Sequence, residues 1–174
     1  MNWEAIGAIG QVLGALITFI VGCIAMFPYM KKCKVYFSFM YNVDKKPTFV
    51  ITNNSQKGQF LNRIIIYSGK WSKKSFCVIE MLDIQDDLLI DNTEFFIAPN
   101  SHCKISANAT RMVKYITHCE VYLAKYKNVY IQLDFGDKMS KRFCTKIKTY
   151  QFLQTLIDET EEFKELKVDG FFGK

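Results

Sequence analysis

Residues 5–28 form an unbroken apolar run of 24 residues whose only polar side chains are Gln11 and Thr18. As a helix the run would measure about 36 Å, enough to cross the hydrocarbon layer of a bilayer with some tilt. A segment this long and this apolar is not left in water, so it divides the chain before any other feature does. The expected organisation is a transmembrane helix over residues 1–30, a β-domain over residues 31–148, and an amphipathic helix with a tail over residues 149–174.

The flanks give the expected direction of crossing. Trp3 marks one membrane interface and Tyr29, beside Phe27, marks the other; amphipathic rings concentrate at the headgroup level. Pro28 and the cluster Lys31, Lys32 and Lys34 end the run, whereas Glu4 is the only charged side chain before Lys31. Bases on the C-terminal side alone predict a single pass through the inner or plasma membrane, N-terminus outside and body in the cytoplasm. A cleaved signal peptide would carry a basic n-region, and Met1-Asn2-Trp3-Glu4 has none. Ile20-Val21-Gly22-Cys23 resembles a lipobox, but apolar sequence continues to Met30.

Within the run, Gly10, Gly14, Thr18 and Gly22 fall four residues apart. Side chains at i and i+4 stack on one helix face, so these four form a ridge of small residues. Lipid gains nothing from such a ridge, whereas a neighbouring helix can approach it closely. Gln11 is placed to hydrogen-bond across that contact. The expected partners are therefore the lipid bilayer and further copies of the chain.

The net charge of +6 is unevenly distributed. Residues 31–148 hold 20 bases and 10 acids, while residues 149–174 hold six acids and three lysines. A basic body beside a membrane suits an anionic leaflet or an anionic ligand. A nucleotide or a protein is the expected ligand; a long nucleic acid is not. Of the six cysteines, Cys23 lies in the apolar run and five remain without paired spacing (Cys33, Cys77, Cys103, Cys119 and Cys144). An odd, irregular set predicts reduced thiols in a cytosolic compartment.

The body reads as a succession of short strands. Runs at 35–41, 48–52, 61–68, 76–81, 95–98, 103–107, 119–123, 129–135 and 142–147 are rich in apolar and β-branched residues and are separated by turn-forming clusters. Val129 to Phe135 alternates apolar and polar, the mark of a half-buried antiparallel strand. With no long helix between them, these strands predict a mainly β fold, an antiparallel sandwich or barrel. Tyr150, Leu153, Leu156, Ile157 and Phe163 recur at helical spacing opposite an acidic face, predicting a C-terminal amphipathic helix that packs on the body or on another protomer.

"FVITNNSQKGQFLNRIIIYSG" (49–69) and "FFIAPNSHCKISA" (95–107) resemble the strand–loop–strand patterns of Ig-like domains. The resemblance covers residues 35–148 and lacks the Cys…Trp…Cys framework of antibody domains. The opening "NWEAIGAIG" and the layout of one helix plus a small β-domain resemble small bitopic proteins of bacteria and their mobile elements. They are also similar to the membrane effectors of anti-phage signalling systems such as CBASS. Those effectors commonly have more than one span and bind a cyclic nucleotide in the β-domain; here there is one span.

No catalytic, metal or cofactor set emerges from the residues. His102-Cys103 and His118-Cys119 are adjacent pairs, and neighbours on a strand point to opposite faces. Asp83, Asp86, Asp87 and Asp91 lack the glycine and terminal Glu of a calcium loop. The candidate anion or membrane contact is Lys70, Trp71, Lys73 and Lys74, three bases around one ring on an expected hairpin tip; the alternative is a ring folded back into the core. Asn53 and Asn108 begin glycosylation sequons that carry no meaning in a cytosolic body. The expected function is a non-enzymatic, oligomeric membrane effector. Its β-domain senses a ligand or partner and its helix assembles to perturb the membrane. The alternative is a constitutive membrane-tethered adaptor that holds another protein.

Overall fold

A computed structural model describes residues 3–30, 34–38, 47–81, 96–119, 121 and 123–172. The N-terminal helix α1 (Trp3–Met30) is followed by strands β1 (Lys34–Ser38), β2 (Thr48–Asn53), β3 (Gln59–Phe60), β4 (Arg63–Ser68), β5 (Cys77–Glu80), β6 (Phe96–Ile97) and β7 (Ser101–Ser106). Helix α2 (Ala109–Thr117) comes next, then β8 (Asn128–Asp134), β9 (Phe143–Lys148) and helix α3 (Thr149–Asp158). Two single turns of 3₁₀ helix, Glu161–Phe163 and Val168–Phe171, end the described chain. Helix α1 is long and apolar enough to cross a membrane, and none of Ile6–Phe27 is buried against the rest of the protein.

Among the described residues all strand pairs are antiparallel and form three sheets, ordered β1-β2-β7, β3-β6 and β5-β4-β8-β9. In the four-stranded sheet Ile64 pairs with Leu133, Ile66 with Ile131 and Tyr67 with Tyr130. This register puts Ile64, Ile66, Val129, Ile131 and Leu133 on the core, as period-2 alternation requires. The central strand β4 is buried on both faces. On its outer face the Arg142 guanidinium lies 3.6 Å from the centre of the Tyr67 ring. Phe49 and Ile51 of β2 and Ile105 of β7 join the same core.

The fold is mixed α and β rather than mainly β, and the sheets do not close into a barrel. Among the described strands none links the three-stranded sheet to the four-stranded one. Helices α2 and α3 pack on each other and send Met112, Val113, Ile116, Phe152, Leu153, Leu156 and Ile157 into the core. They cover the apolar surface that closure would otherwise have to bury. Phe152 meets Phe76 edge-on, ring centres 5.9 Å apart, a favoured aromatic geometry.

Two elements differ from the sequence reading, which has no helix at 109–117 and a strand at 119–123. Asn108 starts α2 by accepting the Arg111 amide at 3.1 Å, which satisfies one of the orphan N–H groups of the first turn. Ala109, Met112, Val113 and Ile116 then fall at i, i+3, i+4 and i+7 and are buried. After the helix, Cys119, Val121 and Leu123 belong to no strand. Helix α3 stops at Asp158, short of the expected Phe163, which sits on the first 3₁₀ turn. The stop is made by buried Thr160, whose hydroxyl donates to the Leu156 carbonyl at 2.9 Å and the Ile157 carbonyl at 3.0 Å.

Candidate functional site

A basic groove lies where the end of α1, the β2–β3 loop and the β8–β9 hairpin come together. It encloses about 840 Å³, and its lining includes Lys34, Lys57, Lys138 and Lys141 against one acid, Asp137. Among the described residues none of the four lysines is in an ion pair. Phe60 and Met139 line the same groove and are 65% and 55% exposed. Met30, the last residue of α1, is at its edge.

Both walls are built by short-range chemistry. Asn53, wholly buried at the end of β2, donates from Nδ2 to the carbonyls of Lys57 at 2.8 Å and Ile97 at 3.1 Å. Its Oδ1 accepts from the Ser55 amide at 3.0 Å and the Ser55 hydroxyl at 2.6 Å. The loop that carries Lys57 is thereby tied to β6. At Gly58 a Cβ would collide with the Phe96 ring, so a residue without a side chain lets that ring lie against Phe60, ring centres 4.9 Å apart. Across the groove, Gly136 takes φ +84°, a left-handed conformation that glycine adopts without penalty. Its amide donates to Asp134 Oδ1 at 2.9 Å, and the Phe135 amide donates to the Lys138 carbonyl at 3.0 Å. Asp134 is also held by Arg63, whose Nε donates to Oδ2 at 2.8 Å. The Gly136 amide and the Arg63 guanidinium keep this carboxyl below its ordinary range despite burial.

The positions singled out in the sequence are spread over three places. Gly10, Gly14, Thr18 and Gly22 share one open face of α1, and a Cβ built at any of the three glycines would meet nothing beyond the helix's own backbone. The Thr18 hydroxyl donates to the Gly14 carbonyl at 2.9 Å, so this polar group is satisfied within its own helix. Gln11 and Trp3 are exposed on the same helix. Lys31 and Lys32, the Tyr29 side chain and the four aspartates at 83, 86, 87 and 91 lie outside the described residues. Lys34 begins β1 and lines the groove.

Lys70, Trp71, Lys73 and Lys74 occupy the β4–β5 turn, where Trp71 is 85% exposed rather than folded into the core. Lys70 Nζ stands 5.1 Å from the Trp71 ring centre. Arg142 fixes the turn by donating from Nη1 to the carbonyls of Lys70 at 2.7 Å and Ser72 at 2.8 Å. The turn follows Ser68, which pairs with Val129 near the start of β8, whereas the groove is lined by the β8–β9 hairpin from Phe135 to Phe143. Arg142 links the two basic surfaces, since its sequence neighbours Lys141 and Phe143 line the groove while its guanidinium holds the turn.

The histidine and cysteine pairs do not assemble. His102 is exposed on β7 while Cys103 packs toward the core, and the His118 ring is hydrogen-bonded to the Lys114 carbonyl at 2.7 Å. Among the described residues no group of three His, Cys, Asp or Glu side chains is placed to hold a metal ion. Burial pushes the Cys77 thiol up to about 12, which leaves it protonated and unreactive. Cys144, exposed on β9, differs: burial raises its pKa, but hydrogen bonds from the Lys146 backbone, Asn128 and Tyr130 outweigh this and hold it below the ordinary thiol value.

The groove was missed in the sequence because its lysines come from segments far apart in the chain. The one local signal was the turn Gly136-Asp137-Lys138-Met139-Ser140-Lys141, with two bases and an apolar side chain on a hairpin tip. No family model matches the chain, and neither does any curated protein or solved structure.

Proposed function

We propose that this protein is a non-enzymatic membrane effector that crosses the bilayer once and assembles through the small-residue face of α1. The observation that carries the reading is an apolar helix of 28 residues with no part of Ile6–Phe27 buried and an open Gly10–Gly14–Gly22 face. An exposed apolar cylinder needs lipid around it, and a glycine face needs another helix. The cytoplasmic placement of the body rests on the bases that follow the run. We read the two larger sheets, facing one core, as a sandwich of Ig-like kind. The acidic side of α3 and the tail would then face solvent or a second protomer. Ligand or partner binding to the body would bring helices together and perturb the membrane, as in the anti-phage effectors the layout resembles; this is architecture-level analogy.

The test is the oligomeric mass of the detergent-purified chain beside Gly14→Leu, followed by leakage of a trapped dye from vesicles. A defined oligomer that Gly14→Leu disrupts is expected. A monomer in both, with intact vesicles, would refute the reading. The adaptor alternative draws support from Trp71 and Tyr126, which are 85% and 78% exposed, since large exposed aromatics are common binding anchors. It predicts a partner that co-purifies with the wild type, is lost on Trp71→Ala, and causes no leakage.

A further inference from the structure

We infer that the basic groove is a binding site for an anionic phospholipid of the bilayer into which α1 inserts, with the lipid phosphate held between Lys57, Lys138 and Lys141. The inference rests on the membrane-spanning reading of α1. Met30 and Lys34, on either side of the passage from helix to body, both line the groove. A helix that leaves the bilayer at Met30 therefore sets the groove at headgroup depth. Four lysines outnumber the one acid there, and among the described residues none is neutralised by an ion pair. Anionic headgroups attract basic side chains held at the membrane surface.

The chemistry of the rim favours a lipid over a free anion. Phe60 and Met139 place apolar side chains beside the lysines. A small hydrophilic anion has no use for them, whereas the glycerol backbone and first methylenes of a lipid do. The volume of about 840 Å³ is that of a site for a molecule the size of a drug rather than a single ion. The Trp71 turn, equally basic but with none of its lysines in the groove lining, serves as the internal control.

The experiment uses the full chain in mild detergent, incubated with equal amounts of phosphatidylglycerol and phosphatidylcholine, and counts bound lipids by native mass spectrometry. One phosphatidylglycerol per chain is expected, retained at least fivefold over phosphatidylcholine. Lys57→Gln/Lys138→Gln/Lys141→Gln should bring retention down to the phosphatidylcholine level, while Lys70→Gln/Lys73→Gln/Lys74→Gln, which removes the same charge, should leave it unchanged. Met139→Asp, a single exposed change in the groove, should reduce retention at least threefold and keeps the test decisive if the triple variant folds poorly. Equal losses in the two triple variants, or equal retention of both lipids, would overturn the site. Displacement of the lipid by excess inorganic phosphate would make it a free-anion site and overturn the lipid assignment. Carbonate extraction of the same membranes tests the spanning reading separately. A chain that resists extraction but carries no lipid sinks the groove alone, and one that is extracted yet carries the lipid sinks the span alone.

Discussion

Asn53→Ala is the sharpest probe of how the groove is built. The side chain is wholly buried and makes five hydrogen bonds of 2.6 to 3.2 Å with Lys57, Ile97, Ala98 and Ser55. The Ser55 hydroxyl keeps a second acceptor in the Lys57 carbonyl at 2.8 Å, so its share of the loss is small. The Ile97 and Ala98 carbonyls share one amide hydrogen and count together, so the remaining bonds contribute about 3 kcal/mol in all, and the Ser55 amide, left buried without an acceptor, adds about 1 kcal/mol more. The expected destabilisation is about 4 kcal/mol. For a body of this size that corresponds to a fall in Tm of about 12 °C, read by near-UV circular dichroism of the full chain in detergent. Asn53→Asp should be at least as damaging at neutral pH, because it turns an acceptor toward carbonyl oxygens that now receive N–H groups. Asn54→Ala next door, which touches none of these bonds, should change Tm by less than 2 °C. A drop below about 3 °C for Asn53→Ala, or one matching Asn54→Ala, would refute the view that this side chain holds the loop.

Two further outcomes follow from the electrostatics. Asp134 has its pKa lowered in the folded state by the Gly136 amide and Arg63, so it contributes stability above the ordinary carboxylate value of 3.8 that is lost as pH falls through the lower folded value. Asp134→Asn should therefore flatten the acid limb of a stability-against-pH curve below about pH 4; an unchanged limb would remove Asp134 from the account. Among the described cysteines, Cys144 should react with iodoacetamide first and Cys77 only after denaturation, as peptide mapping would report, because one thiol is lowered and exposed and the other is raised to about 12 and buried; equal rates in the native state would contradict both assignments.

What could be read from the sequence was whatever burial writes into neighbouring residues. A strand with one wet face must alternate, so Val129, Ile131 and Leu133 announced β8. The two long patterns also became elements: 49–69 holds β2, β3 and β4, and 95–107 holds β6, the Pro99-Asn100 turn and β7. Helix α2 was illegible because Thr110, Val113, Ile116 and Thr117 are β-branched and favour strands, and two turns give the helical period little room to show. Asn108 carried the cap signal, but an Asn is as common in turns as at helix starts. Residues 119–123 had a strand's composition and no partner strand among those described, and composition cannot supply a partner.

The sequence by itself determined the long apolar helix α1, because a run of 24 apolar residues needs no distant partner to be recognised. It also determined most strand positions, since alternation needs only a surface to face. Tertiary structure alone decided that the sheets stay open under α2 and α3. It alone gathered Lys34, Lys57, Lys138 and Lys141 around one groove. Each of these depends on contacts between residues distant in the chain, and no local pattern records which distant surface a segment will meet.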